Sequence, residues 1–493
     1  MRVLKENLQV ERPFGMGQAL ARAEGTLMLP GNERDVNILY KTATLEILGA
    51  ETQAGRVVTD AAVHFLILYL DSEGRVQAIE AETTLNAAVE IENANSKMRP
   101  SVWGYIEGVN AVESGGRLSV RADIALEAQL IEEKTLQTVA NVEEAGSVAR
   151  RDARTVALTR AGGGRQRVLL SESFPLAQEE GARVLFTGAK ATVGNAVIGA
   201  GSVTLDGNVR VEVAMASAAA PYYVKEFSLP FSMNVEVPGA RYGMDLLTSA
   251  ETRELIAEAV QGESENSLRI ECILQAGAEA FSQTEYSALE DIFSADNRII
   301  EAKNAEQEFV GGIRAFSQSL NLNHPIEIPG FRGSVLAVLA RPIATSFEIE
   351  GGELVSEGII EATVLYGDGF GVSAHAEEIP FRYTFPNIDW GGAYALGVYS
   401  AQGILMGGDR VELQLGLQLN FTQLESSRLS FVEDVQEGEG SFSRAAGVLL
   451  YYPAQDEDIW QVAKRFHLQP DELQGLNGGE EGPLVIYNKA TEF

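Results

Sequence analysis

Residues 411–419 read Val-Glu-Leu-Gln-Leu-Gly-Leu-Gln-Leu. Val411, Leu413, Leu415, Leu417 and Leu419 recur with period two, and Glu412, Gln414, Gly416 and Gln418 fill the alternate positions. Successive side chains of an extended chain point to opposite faces, so this is the pattern of an antiparallel strand with one face buried. The stretch closes a block, GGDRVELQLGLQL (407–419), and two earlier blocks share its character: GGRLSVRADIAL (115–126) and ENSLRIECILQA (265–276).

Upstream of each block lies a window of 32 residues, and the three windows align without gaps: Ile38–Tyr69, Val184–Met215 and Val335–Tyr366. Leu39, Leu185 and Leu336 share a column, as do Ala43, Ala189 and Ala340, and the glycines Gly55, Gly201 and Gly352. Each window ends on alternating apolar residues, such as Val63, Phe65, Ile67 and Tyr69 in the first. Offsets of 146 and 151 residues are far longer than a solenoid period, so whole domains are repeated. Turn signals at Asp71–Gly74, Ser114–Gly116, Gly367–Gly369 and Gly407–Asp409 separate short strands, as in a sandwich or barrel-like sheet. The expectation is a mainly β, multidomain chain with β domains over 1–145, 146–290 and 291–432.

Three segments depart from this pattern. TSAETRELIAEAV (248–260) carries helical spacing, with Leu255, Ile256 and Val260 on one face. Arg150, Arg151, Arg154, Arg160, Arg165 and Arg167 surround Gly162-Gly163-Gly164, which reads either as a mobile basic linker or as a solvated loop. EDVQEGE (433–439) reads as an acidic tether within a linker spanning 433–446.

From about Gly447 the period changes. An apolar run, Val448–Tyr451, precedes a helix capped by Asp458 with Ile459, Val462, Ala463 and Phe466 on one face. Pro470 opens a second helix, Asn477-Gly478-Gly479 stops it, and Leu484–Tyr487 forms a closing strand. The expectation for 447–493 is a small α+β unit of βααβ order.

Composition bounds the function. The 493 residues hold 38 Lys+Arg and 70 Asp+Glu, a net charge of −32, which repels nucleic acid and anionic lipid. A single cysteine, Cys272, excludes an internal disulfide and any cage of cysteines; in its alternating stretch it reads as a small buried hydrophobe. The first residues, MRVLKENLQVERPFG, lack the apolar core of a signal peptide, and no stretch approaches the roughly 18 apolar residues of a membrane span. The expected location is the cytoplasm. His64, His324, His375 and His467 are dispersed without metal-ligand spacing, so no catalytic residue, metal or cofactor is expected.

Tyr451, Glu457, Ile459-Trp460, Ala463-Lys464-Arg465-Phe466, Pro470–Leu473 and Leu476-Asn477 resemble the LysM family. That resemblance implies two helices against a two-stranded sheet and, commonly, binding of N-acetylglucosamine glycans. The family's Gly-Asp-Thr loop is here Asp456-Glu457-Asp458, and the loop Asn477–Pro483 is short. Both departures fall on the glycan side of the module. LILYLDSEGRVQAIEAETTL and ATVLYGDGFGVSAHAEEIPF resemble SPOCS domains, and SPOCS repeats followed by one LysM are similar to the SipL class of spore-coat morphogenetic proteins. The implied role is a scaffold in the mother-cell cytoplasm at the forespore surface, joined to a SpoIVA-like ATPase of the coat. Peptidoglycan binding is the alternative the LysM resemblance leaves open. The contact face for a protein partner or a glycan is expected to comprise Asp456, Glu457, Asp458, Ile459, Trp460, Leu476 and Asn477. Trp460 reads either as a half-exposed aromatic anchor or as part of a very small core.

Overall fold

The computed structural model describes residues 1–143, 146–176, 181–260, 266–296, 298–351, 353–367, 371–385, 392–442, 447–478 and 483–488. Unit 1 contains β1 (Arg2–Met28), β2 (Asn37–Gln53), β3 (Arg56–Leu70), β4 (Val76–Glu90), β5 (Arg99–Ser114) and β6 (Arg117–Glu143). Unit 2 contains β7 (Val148–Leu176), β8 (Arg183–Ile198), β9 (Ser202–Ala216), β10 (Tyr223–Glu236), β11 (Asp245–Val260) and β12 (Asn266–Ser294). Unit 3 contains β13 (Arg298–Glu327), β14 (Ser334–Glu350), β15 (Glu353–Gly367), β16 (Val372–Phe385), β17 (Gly392–Gly407) and β18 (Arg410–Ser441). The C-terminal module is β19 (Gly447–Tyr451), α1 (Ile459–Phe466), α2 (Pro470–Asn477) and β20 (Leu484–Asn488). The chain is thus mainly β and multidomain, with one small βααβ unit.

Each unit pairs two three-stranded antiparallel sheets in the same order. The sheets β1-β6-β5 and β2-β3-β4 of unit 1 recur as β7-β12-β11 and β8-β9-β10, then as β13-β18-β17 and β14-β15-β16. The repetition extends to irregularities. β2 is bulged between Ile38 and Tyr40 and again between Ile47 and Gly49. β8 and β14 carry the corresponding bulges at Val184/Phe186 with Val193/Asn195, and at Val335/Ala337 with Ala344/Ser346. The first bulge sets out the column Leu39, Leu185 and Leu336, and these leucines meet in one apolar cluster where the three units converge. Gly55 and Gly201 share a left-handed φ of 78°, and each amide donates to a carbonyl, Ala94 and Ala240 respectively, at 3.0 Å. A side chain there would strain the turn. Gly352 lies outside the described residues.

The quoted strand behaves as its alternation predicts: Val411, Leu413, Leu415, Leu417 and Leu419 are all enclosed in the unit 3 interior or its flank. Equivalent rows from β6 and β12 line the other two sandwiches, with Cys272 fully buried among Ile270 and Leu274. Beyond the sandwiches the first and last strands of each unit run on as a two-stranded ribbon. The three ribbons pack on one another through Leu8, Leu136, Ala157, Ala288, Phe309 and Leu429.

Several expectations are corrected. Residues 248–260 are strand, not helix: β11 pairs with β12 along its length, and burying Leu255 and Ala257 on the unit 2 interior overrides local helix preference. Arg150–Arg167 is neither a mobile linker nor a loop, because it lies wholly within β7. Gly162 and Gly164 are there for close approach, since the end of β10 and the connection after it cross directly over them. The acidic segment 433–439 is the end of β18 rather than a tether; residues 443–446 lie outside the described set. Boundaries expected at 290/291 and 432/433 therefore fall inside β12 and β18.

Candidate functional site

The C-terminal module is built around Val462, Ala463, Leu473 and Ile486, each fully enclosed. Its first helix starts on a reciprocal cap: the Asp458 carboxylate accepts from the Gln461 amide at 2.7 Å, and the Gln461 side chain accepts from the Asp458 amide at 3.0 Å. His467 ends α1 in the left-handed region with φ of 53°. Asn477 ties α2 to β20, accepting from the Val485 amide at 2.6 Å and donating to the Leu473 and Val485 carbonyls.

The predicted contact residues do not form one face. Asp456 and Glu457 border a surface groove of about 580 Å³ together with Tyr451, Tyr452, Gln461 and Arg465. Tyr452 is 72% exposed there. Glu457 is committed internally: Tyr451 Oη donates to it at 2.7 Å, and the Arg465 guanidinium lies 2.9 Å away. Leu476 is exposed on the other helix, and Asn477 serves the fold. Ile459 is half-buried in the module interior. The loop following α2 lies outside the described residues from 479 to 482.

Trp460 is neither half exposed nor confined to the module's own core. It is buried against the ribbon of unit 2, with its ring edge-on to Phe293 at a centroid distance of 4.9 Å. Its Nε1 donates to Asp291 Oδ2 at 2.8 Å, and Lys464 Nζ contacts both Asp291 oxygens at 2.6 and 2.8 Å. The Arg151 guanidinium sits 5.4 Å from the Trp460 ring centre and reaches Asp458 at 3.2 Å. Gln469 donates to Ser147 Oγ at 2.9 Å, and the His467 ring lies 3.0 Å from the Ser294 carbonyl and stacks on Phe442. Asp291, Phe293, Arg151 and Lys464 were not among the predicted site residues. Only the spacing of Trp460 and Lys464, one helical turn apart, pointed to a shared face.

Two carboxylates mark the seams between units. Glu127 is buried and accepts from Trp103 Nε1 at 3.1 Å in its own unit and from Tyr394 Oη of unit 3 at 3.0 Å. Burial pushes its carboxyl up, and those two donors only partly oppose the shift. Asp71 orders the β3–β4 turn next to Arg183 of unit 2, which donates to the neighbouring Gln77 and Val76. Burial alone would raise Asp71, but Gln77, Arg75 and two backbone amides hydrogen-bond its charged form and bring it down to about 2.

His64 pairs with Glu46 at 3.2 Å within sheet β2-β3-β4, and His375 with Glu377 at 3.4 Å. Burial raises the Cys272 thiol, and Thr252 opposes that only in part, which disfavours the reactive thiolate. Among the described residues no group of three or more His, Cys, Asp or Glu could hold a metal ion, and no helix is long and apolar enough to cross a membrane.

A family model described as SipL, SPOCS domain matches residues 36–113. The match covers the sheet β2-β3-β4 and nearly all of β5 in unit 1. No curated protein and no solved structure matches the chain.

Proposed function

We propose that the chain is a non-enzymatic scaffold of spore-coat assembly that holds coat morphogenetic proteins, a SpoIVA-like ATPase among them, through its β units and its terminal module. The observation that carries this reading is the SPOCS match in unit 1 combined with the repetition of that unit's topology in units 2 and 3. Three sandwiches on one plan present comparable surfaces with different side chains. Linking modest contacts on one body raises effective concentration without a single strong interface. The LysM-like module supplies a further contact through its Tyr452 and Asp456 groove, and its acidic groups favour a basic partner in a salt-dependent way. Affinity capture from sporulating cells tests the reading: coat proteins should be recovered with the chain, and their consistent absence would contradict it.

One observation favours a second reading, a glycan binder of the spore envelope. The same groove joins exposed aromatic surface to polar groups, as a sugar-stacking site does. Titration with N-acetylglucosamine oligomers separates the two: the scaffold reading expects no binding, and micromolar affinity would favour the glycan.

A further inference from the structure

The seat of the terminal module is one of three equivalent positions in the ribbons. Just after a bulge near the end of β6, β12 and β18 stand Asn141, Asp291 and Asp434, opposite Leu4, Arg151 and Lys303. Asn141 and Asp291 each accept from the following amide at 2.9 Å. At two positions a neighbouring unit supplies a cation. Arg150 of unit 2 donates to Asn141 of unit 1 at 3.4 Å, and Lys5 of unit 1 pairs with Asp434 of unit 3 at 2.9 Å. Continuing that cycle, unit 3 should supply a cation to Asp291. The residues of β13 in register with Arg150 and Lys5 are Ala302 and Asn304, and neither carries charge. Lys464 of α1 takes that place, with Trp460 beside it.

We infer that Asp291 is the socket of a reversible latch, which holds the terminal module against unit 2 by its Trp460–Lys464 face and covers that face until the module is released. Both states are physically sustainable. Val462, Ala463, Leu473 and Ile486 share one buried cluster with Ala149 and Phe293 of unit 2, while α1 packs on α2 and α2 on β20 within the module, so undocking uncovers part of the core and leaves those internal contacts in place. Asp291 retains the Ile292 amide and gains water when Lys464 leaves, so neither partner is left as a buried orphan. The docked contact is mixed: the Asp291 carboxylate with Trp460 and Lys464, the apolar surface of Ala149 and Phe293 against the module, and the bonds from Gln469, His467 and Arg151. Release exposes an aromatic and a lysine one turn apart, which suits an acidic strand like the one they leave. The latch acts on the module to which partner capture was assigned above, but on its Trp460–Lys464 face rather than the Tyr452–Asp456 groove, which is open in the docked state, and it is a property of this chain alone. Its test uses no partner, so the two readings fail separately.

The experiment follows Trp460 fluorescence in the full chain, with Trp103 and Trp390 replaced by phenylalanine. Asp291→Ala should shift the docked-to-released ratio by roughly 10-fold or more, because Trp460 Nε1 loses a charged acceptor in a buried bond, while Lys464, 44% exposed, loses only a partly solvated ion pair. The readouts are a red-shifted emission and a several-fold rise in acrylamide quenching. Asp434→Ala, at the equivalent acid bound by Lys5, should leave Trp460 unchanged. Asp291→Asn, which keeps an acceptor for Trp460 Nε1 but not the charge facing Lys464, should release the module less than Asp291→Ala. Amide resonances of α1 and α2 should stay dispersed in every variant. An unchanged Trp460 signal in Asp291→Ala would overturn the latch, and so would unfolding of α1 and α2 on release.

Discussion

Alanine at Gly162 or Gly164 is the sharpest perturbation of the architecture. A Cβ built on Gly162 would lie 1.8 Å from the Pro238 carbonyl oxygen, and one on Gly164 would lie 1.8 Å from that of Glu236. Ordinary van der Waals contact begins at 3.4 Å, so each methyl intrudes by 3.4 − 1.8 = 1.6 Å on backbone that has no rotamer to change. Overpacking of this kind costs about 1–3 kcal/mol, and more where the neighbour is main chain. In a flexible tether the same change would stabilise the chain by roughly 0.4–1 kcal/mol, because the unfolded state loses entropy. The two accounts therefore differ in sign. Gly163 supplies the internal control: its Cβ would meet the end of the Arg160 side chain at 2.2 Å and then Glu279 Cγ at 3.2 Å. A guanidinium can swing away, so Gly163→Ala should be the mildest of the three. Urea midpoints of the three variants are the assay. Gly162→Ala and Gly164→Ala at or above the parent midpoint would refute the close-approach reasoning, as would Gly163→Ala being the least stable.

Four further outcomes follow from the seams and the core. The folded-state pKa of Asp71 is depressed to about 2 from an ordinary 3.8, so its stabilisation is complete above about pH 4 and disappears as pH falls toward 2. Asp71→Asn should flatten that part of the melting-temperature profile. Glu127 is shifted the other way, so its contribution is present at low pH and fades as pH rises through its raised pKa; Glu127→Gln should remove that decline, measured by melting across pH 4–8. Cys272, fully buried with its thiol raised, should resist a thiol reagent in the native chain and react promptly in urea. Replacing Leu415 by alanine in the quoted strand should cost about 2–5 kcal/mol, seen as an early loss of unit 3 on denaturation.

Much of the fold was legible because one signal, period-two alternation, is intrinsic to a strand with one wet face. Val411–Leu419 announced β18, and the aligned windows announced three units. The ribbons were not legible. Their faces pack on other ribbons rather than within a sandwich, so Arg150–Arg167 carries no clean alternation and its three glycines imitate a hinge. Residues 248–260 misled for a related reason: Ala, Glu and Leu favour a helix locally, while pairing with β12 decides the outcome. In the module, the βααβ order and the Asp458 cap were readable from spacing alone. The direction faced by Trp460 was not, because Asp291 lies 169 residues away and nothing local marks it as a socket.

The measurement that addresses the scaffold claim most directly is equilibrium binding of the purified chain to the SpoIVA-like coat ATPase, compared with a chain ending before Gly447. The account predicts that the full chain binds, that the shortened chain binds more weakly while its three β units stay folded, and that added salt weakens the full-chain interaction. Absence of binding by the full chain, with the units and module shown to be folded, would contradict it.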